Sequence, residues 1–301
     1  MRALAALAVL ASTAAAGPAR ADADSLLDHL GPREIAVGEA GRAGAIGALA
    51  VSLNPAGLPL TRELVFEGGY GYRLSDSASL VSVSACDSTN AMPGCFFYQY
   101  VNASPELDGV DHKRHAHTAG ISLSRALGDR FLLGSTAKYF SAGSDLMDEP
   151  DASGFNWDAG LTVRLTDIVN VAAVGYNLWG KRSPQYPRAA SGGVLLRPWG
   201  PLAVNFDAVW NLDAEGSTGR YGGGLEYFLT GGSGQVGYPL RAGVVHDVAG
   251  SNTYLSAGLG LATMKLGLDV GARRQVRGGD ELQLIASLRV FGPRQESGGL
   301  E

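Results

Sequence analysis

Three histidines stand close together in DHKRHAHT, at His112, His115 and His117. Imidazole is the commonest metal ligand, and His115 and His117, two apart, share one face of a strand. No further ligand follows at zinc-like spacing, so the stretch reads as a solvated strand end with pH-dependent charge, and no metal or other cofactor is expected. Acid–base chemistry has two candidate seats, His246–Asp247 and the carboxylates Asp145, Asp148 and Glu149. Neither makes a nucleophile, base and orienting group recognisable in sequence, so no catalytic residue is assigned and an enzyme is not expected. GLGLAT lies inside a strand-like stretch rather than at a strand-to-helix turn, which excludes a dinucleotide loop. The two cysteines, Cys86 and Cys95, flank DSTNAMPG. In an exported chain such a close pair predicts a disulfide joining the facing ends of two antiparallel strands. A metal pair would need ligands that the neighbourhood lacks.

Export itself is read from the first residues, MRALAALAVLASTAAAGPARADADS. One basic residue, Arg2, precedes an apolar run from Ala3 to Ala16, and Ala19-Arg20-Ala21 is a small-x-small cleavage site. Residues 1–21 are expected to be a signal peptide, with Ala23 the alternative cleavage point. The run falls short of the roughly 20 apolar residues of a spanning helix. The 301-residue chain carries a formal net charge of −5, which argues against a nucleic-acid partner. Its 43 glycines are about twice the usual share.

What must position these residues is a chain of alternating segments. In TMKLGLDVGARRQ, Met264, Leu266, Leu268, Val270 and Ala272 oppose Lys265, Gly267, Asp269, Gly271 and Arg273. FNWDAGLTVRL, PLAVNFDAVWNL and DELQLIASLRVF repeat the pattern with period two. Strands are predicted at Glu63–Leu74, Ser77–Cys86, Cys95–Asn102, His115–Leu127, Arg130–Ser141, Gly154–Leu165, Ile168–Leu178, Arg188–Pro198, Leu202–Leu212, Gly219–Leu229, Pro239–Val248, Thr253–Ala262, Met264–Gln275 and Glu281–Phe291. Ile168–Leu178 and Arg188–Pro198 alternate poorly. A soluble sandwich alternates too, with its apolar face inward. Strand lengths near the roughly 10 residues of a tilted membrane strand favour an all-β transmembrane antiparallel barrel of about fourteen strands instead. So do the polar faces rich in glycine and charge. Aromatics near strand ends, among them Tyr70, Tyr98, Tyr139, Tyr176, Trp179, Tyr186, Trp199, Trp210 and Tyr254, read as interfacial girdles.

On this register Glu67, Lys138, Asp158, Arg164, Asp207, Glu226, Arg241, Lys265, Asp269, Arg273 and Arg289 point into the lumen. Both signs are interspersed, which favours ion pairs across a filled interior over ion selectivity. The outer loops, among them WGKRSPQY, are short and hydrophilic, so no apolar surface is expected at the mouth. A barrel this wide needs filling. Residues 22–61 are the spare material and are expected to form a small helical or irregular plug ahead of a barrel at 62–291, with a tail at 292–301. In AVSLNPAGLPLT, Asn54 caps a turn, Pro55 ends pairing and Gly57 permits a positive φ, so Asn54, Pro55, Ala56, Gly57 and Leu58 form the hinge between plug and barrel.

AVGEAGRAGAIGALAVSLNPAGL resembles the N-terminal signature of outer-membrane barrels of the FadL and PorV type, and the following strand pairs resemble that family's repeated form. The resemblance implies a fourteen-stranded barrel with an N-terminal plug, seated in outer-membrane lipid. Two functions follow from it. A FadL-like member is a channel for a small hydrophobic compound. A PorV-like member anchors or escorts a secretion-system or surface protein. The acidic pair usual before the motif is missing here, where Ala45 and Gly47 stand.

Overall fold

The computed structural model describes residues 31–292 apart from 108, 147–148, 217 and 233–235. The expected signal peptide, residues 22–30 of the expected plug and residues 293–301 of the tail lie outside the described residues.

Alternation is expressed as a closed, wholly antiparallel barrel of fourteen strands. They are β1 (Leu64–Arg73), β2 (Ala78–Asp87), β3 (Gly94–Ala103), β4 (Arg114–Leu127), β5 (Phe131–Ser144), β6 (Ala152–Arg164) and β7 (Val169–Gly180). The circuit continues with β8 (Ala189–Trp199), β9 (Leu202–Asn211), β10 (Gly219–Thr230), β11 (Gly237–Asp247), β12 (Asn252–Ala262), β13 (Leu266–Arg277) and β14 (Leu282–Phe291). β1 pairs with both β2 and β14, Glu67 facing Ser84 on one side and Arg289 on the other, so no edge remains. β1 begins and β14 finishes at the same end, called here the terminal end; the opposite end is the loop end. There a two-residue hairpin, Glu106–Leu107 with Val110–Asp111, interrupts the connection between β3 and β4.

The faces are inverted relative to a soluble sheet. Along β13, Leu266, Leu268 and Val270 are exposed on the outside while Asp269 and Arg273 are buried within. Phe155, Phe206 and Leu259 are likewise outward and more than half exposed. Such a wall suits hydrocarbon, and the lumen takes the polar groups.

The weak alternation of Ile168–Leu178 has a local cause. Trp157 faces Trp179 but Ala159 faces Gly175, so Tyr176, Asn177 and Leu178 oppose Asp158 alone. Asn177 takes a φ of +51°, which asparagine tolerates, and its amide donates to Asp158 Oδ1 at 2.7 Å. β8 shifts register between Leu196 and Trp199, around Pro198, which has no N–H to offer the ladder.

Residues 31–63 fill the lumen from the terminal end. α1 (Pro32–Ala36) and α2 (Ala48–Ser52) alternate with 3-10 turns at Arg42–Gly44 and Pro55–Leu60. Small residues let backbone lie on backbone. Gly222, Gly224 and Gly243 lie against Val37–Gly38, and Gly134 and Gly160 lie against Asn54–Ala56, so a Cβ at any of them would overlap plug atoms.

Candidate functional site

Asn54 is fully buried and ties three elements together. Its Nδ2 donates to the Arg42 carbonyl at 2.9 Å and to Thr162 Oγ1 on β6 at 2.8 Å. Its Oδ1 accepts the Ala56 amide at 3.0 Å, which caps the turn that Pro55 starts. Gly57 packs on the Ala45 carbonyl where no side chain would fit, and its φ is not positive, unlike the sequence expectation. Ala56 and Leu58 are fully buried.

One side of the lumen is an ionic lattice. Asp269 receives Arg241 at 2.7 Å and Arg289 at 2.6 Å, with Arg33 of the plug at 4.0 Å. Arg33 also meets Glu67 at 2.9 Å, and Arg241 meets Glu226 at 2.5 Å. Glu39 of the plug takes Arg220 and Arg273, each at 2.5 Å. Asp207 accepts the Gly41 and Arg42 amides and the Arg42 guanidinium, all within 2.9 Å. Plug and wall are thus paired by charge. Across the lumen Lys138 and Asp158 pair at 2.7 Å. Arg164 lies at the terminal end beside Pro59–Arg62. Lys265 is an exception among the expected lumen residues: it sits exposed in the turn between β12 and β13, because β13 starts at Leu266 rather than at Met264.

Two apolar clusters occupy the β2–β5 side. The lower one joins Ala45, Ala50, Val51, Leu53 and Leu58 of the plug to Val65, Phe97 and the disulfide of Cys86 and Cys95, which face each other across β2 and β3. The upper one gathers Leu80, Val101, Ala116, Phe140, Ala142 and Tyr186. Tyr186 reaches it because the connection from β7 to β8 folds inward. Its ring stacks on Phe140 at 4.1 Å, and its hydroxyl meets Thr118 at 2.9 Å. Gln185 Nε2 donates to the Pro150 carbonyl at 2.9 Å, and Gln185 also bonds Ser183. At the base of this strap Arg188 Nε and Nη2 donate to Asp213 at 2.8 and 2.5 Å. This corrects the expectation of a merely hydrophilic outer loop. It also removes Tyr186 from the girdle, together with Tyr176, whose hydroxyl donates to the Leu53 carbonyl, and Tyr254, whose ring lies under Arg273.

Between the clusters is a cavity of about 320 Å³. Val51 and Leu53 of the plug, Phe97 and Lys138 of the wall, and Tyr186 of the strap border it on the apolar side, and Glu39, Arg42 and Arg220 of the ionic lattice border it on the other.

The histidines lie elsewhere. His117 Nδ1 meets Tyr98 Oη at 2.8 Å on the outward face, and His112 meets Asp145 at 3.1 Å. Asp145 also accepts the Lys113 amide; that hydrogen bond first, and His112 second, hold its carboxyl below the usual range. No group of three His, Cys, Asp or Glu side chains fit to hold a metal occurs among the described residues. Glu149 pairs with Arg114, and His246 bonds Thr253 while Asp247 caps the turn at Ala249–Gly250. Asp148 lies outside the described residues. Sequence reasoning passed over Arg33, Glu39 and Arg42 in the plug, although so many lumen charges required partners. It also passed over Phe97 and the inward turn of Tyr186, for which no local pattern gives a signal.

No family model matches the sequence, and no curated protein matches it. The fold is similar to solved structures. The CymD monoaromatic hydrocarbon channel superposes with a TM-score of 0.69 at 13% identity, over 90% of this chain and 99% of that one. The Pseudomonas putida toluene transporter TodX gives 0.62 at 13%, over 87% and 97%. A Pseudomonas aeruginosa FadL homologue gives 0.63 at 14%, over 85% and 96%.

Proposed function

We propose that this chain is an outer-membrane channel for a small hydrophobic compound, gated by its plug. The carrying observation is the cavity of about 320 Å³ above the plug, which Val51, Leu53, Phe97 and the Tyr186 strap border on one side and the paired charges of Arg42, Glu39 and Arg220 border on the other. The apolar outer wall, and a fold shared with hydrocarbon channels, support the same reading. In it, residues 1–21 direct export, residues 22–61 form the plug, residues 62–291 form the barrel and residues 292–301 trail behind. Asn54–Leu58 is the hinge. The plug fills the lumen beneath the cavity, so transit requires it to shift, and Asn54 is the link between moving and fixed parts. The channel reading assigns no catalytic residue.

Native mass spectrometry on protein extracted in mild detergent tests it. A retained hydrophobic small molecule, lost when Asn54–Leu58 is replaced by glycine and serine, is the expected result. An empty barrel that retains a protein partner would overturn it in favour of anchoring or escort.

A further inference from the structure

We propose that the cavity takes a compact aromatic bearing one neutral oxygen acceptor, and that Lys138 recognises that oxygen. This rests on the channel reading and narrows the compound it admits.

Register sets the tier. Phe97 of β3 faces Gly120 of β4, and Gly120 faces Lys138 of β5. A Cβ at Gly120 would come within 2.8 Å of two Phe97 ring carbons. The missing side chain is therefore what lets the ring lie across β4 toward Lys138. Tyr186 adds a second ring above, with its hydroxyl already engaged by Thr118. The ammonium of Lys138 has three N–H groups. Among the described residues it makes one hydrogen bond, to Asp158 Oδ2 at 2.7 Å, while Asp158 Oδ1 takes the Asn177 amide. The other cations at the cavity are committed, Arg42 to Asp207 and Tyr176, and Arg220 to Glu39. Lys138 thus brings donors to spare to an aromatic-walled space.

A bare hydrocarbon seated there strips water from those donors and replaces it with nothing, which a charged group tolerates badly. An anion loses its hydration and meets cations already neutralised by carboxylates. A carbonyl or phenolic oxygen satisfies the donor without adding charge. Sites built to hydrogen-bond a group discriminate strongly against the analogue that lacks it.

Acetophenone and ethylbenzene share the ring and differ by a carbonyl in place of a methylene; benzoate supplies the anion. Saturable binding of each to the full barrel in lipid nanodiscs is measured by equilibrium dialysis, referred to free aqueous ligand. Lys138→Met alone leaves Asp158 buried and unpaired, so the double variant Lys138→Met with Asp158→Asn, checked for its folded form by heat-modified gel mobility, is the main comparison. The expected result is acetophenone binding without benzoate binding. The acetophenone-to-ethylbenzene affinity ratio should fall at least tenfold in the double variant. An unchanged ratio, or a preference for benzoate, overturns the inference. Ethylbenzene bound in place of acetophenone overturns it and leaves the channel reading intact, whereas binding of neither overturns both.

Discussion

The two sides of the lumen solve the same problem with opposite chemistry. From β9 around to β1, the wall meets the plug through Asp207, Arg220, Asp269, Arg273 and Glu67, the plug answers with Arg33, Glu39 and Arg42, and Glu226, Arg241 and Arg289 extend the lattice along the wall. From β2 to β5 it meets the plug and the strap through Phe97, Val101, Ala116 and Phe140. Buried ions tolerate little displacement, because each lost partner leaves a dry charge. Apolar contacts are non-directional, and their surfaces part and close again at a cost proportional to area. The difference teaches that anchoring is concentrated on one side, and that the cavity opens where the ionic lattice gives way to the forgiving apolar wall.

The strongest way to break this comparison is to remove Asp269, which is fully buried among three cations. Asp269→Ala should cost about 3–5 kcal/mol, since it strips Arg289 of its carboxylate and leaves Arg33 and Arg241 with one partner each, Glu67 and Glu226. Urea unfolding in lipid vesicles measures it. Ligand affinity per folded molecule should not change; if it falls along with stability, the two sides are not separate devices. Phe97→Ala strikes the other side. Loss of a largely buried ring predicts about 3 kcal/mol of destabilisation. Here binding should change with stability, because the ring borders the cavity, and two-ring compounds rejected by the native protein should be admitted. A variant that still rejects them would show that Phe97 is packing alone.

The same division explains what was legible in the sequence. Fourteen strands and their inward and outward faces follow from period two, since each strand writes its own pattern. β13 illustrates the limit: the alternation runs unbroken through Met264 and Lys265, and only the turn, closed by Thr263 onto Leu266, decides that these residues leave the sheet. The ionic side was half legible, as the wall charges carry the alternation while their plug partners stand in an irregular segment. The apolar side was the least legible. Phe97 occupies an inward position like any other, and its role comes from Gly120 on the neighbouring strand. Tyr186 sits in a polar loop whose inward course depends on partners at Thr118, Phe140 and Pro150, all distant in sequence.

A sharper test lies at the seam between the sides. Asn54→Ala deletes hydrogen bonds to the Arg42 carbonyl, Thr162 and the Ala56 amide, with every partner left buried. About 2 kcal/mol is the expected loss, typical of stranding buried polar groups. If the motif is also the hinge, flux of a hydrophobic probe into proteoliposomes should rise as the docked plug loosens. Loss of stability with unaltered flux would restrict Asn54 to a structural part.

The smallest effect belongs to the strap, where the apolar side ends in an exposed ionic latch. Hydrogen bonds from the Arg188 side chain and amide hold the Asp213 carboxyl below its usual range. A depressed carboxylate stabilises the folded form above its unfolded value, about 3.9, and that contribution is lost as pH falls through the lower folded value. Between pH 8 and 5 the strap should therefore be indifferent to acid and begin to loosen only below about pH 4. Amide exchange at Tyr186, corrected for the intrinsic chemical rate, reads this directly because its N–H is bonded to the Ser183 carbonyl. Asp213→Asn should reproduce the faster exchange at neutral pH while leaving the stacking on Phe140 in place, since the pair is exposed and such pairs contribute little. Equal exchange in the variant and the native protein would mean that Tyr186 holds the strap unaided, and that the apolar side needs no charge at all to close over its cavity.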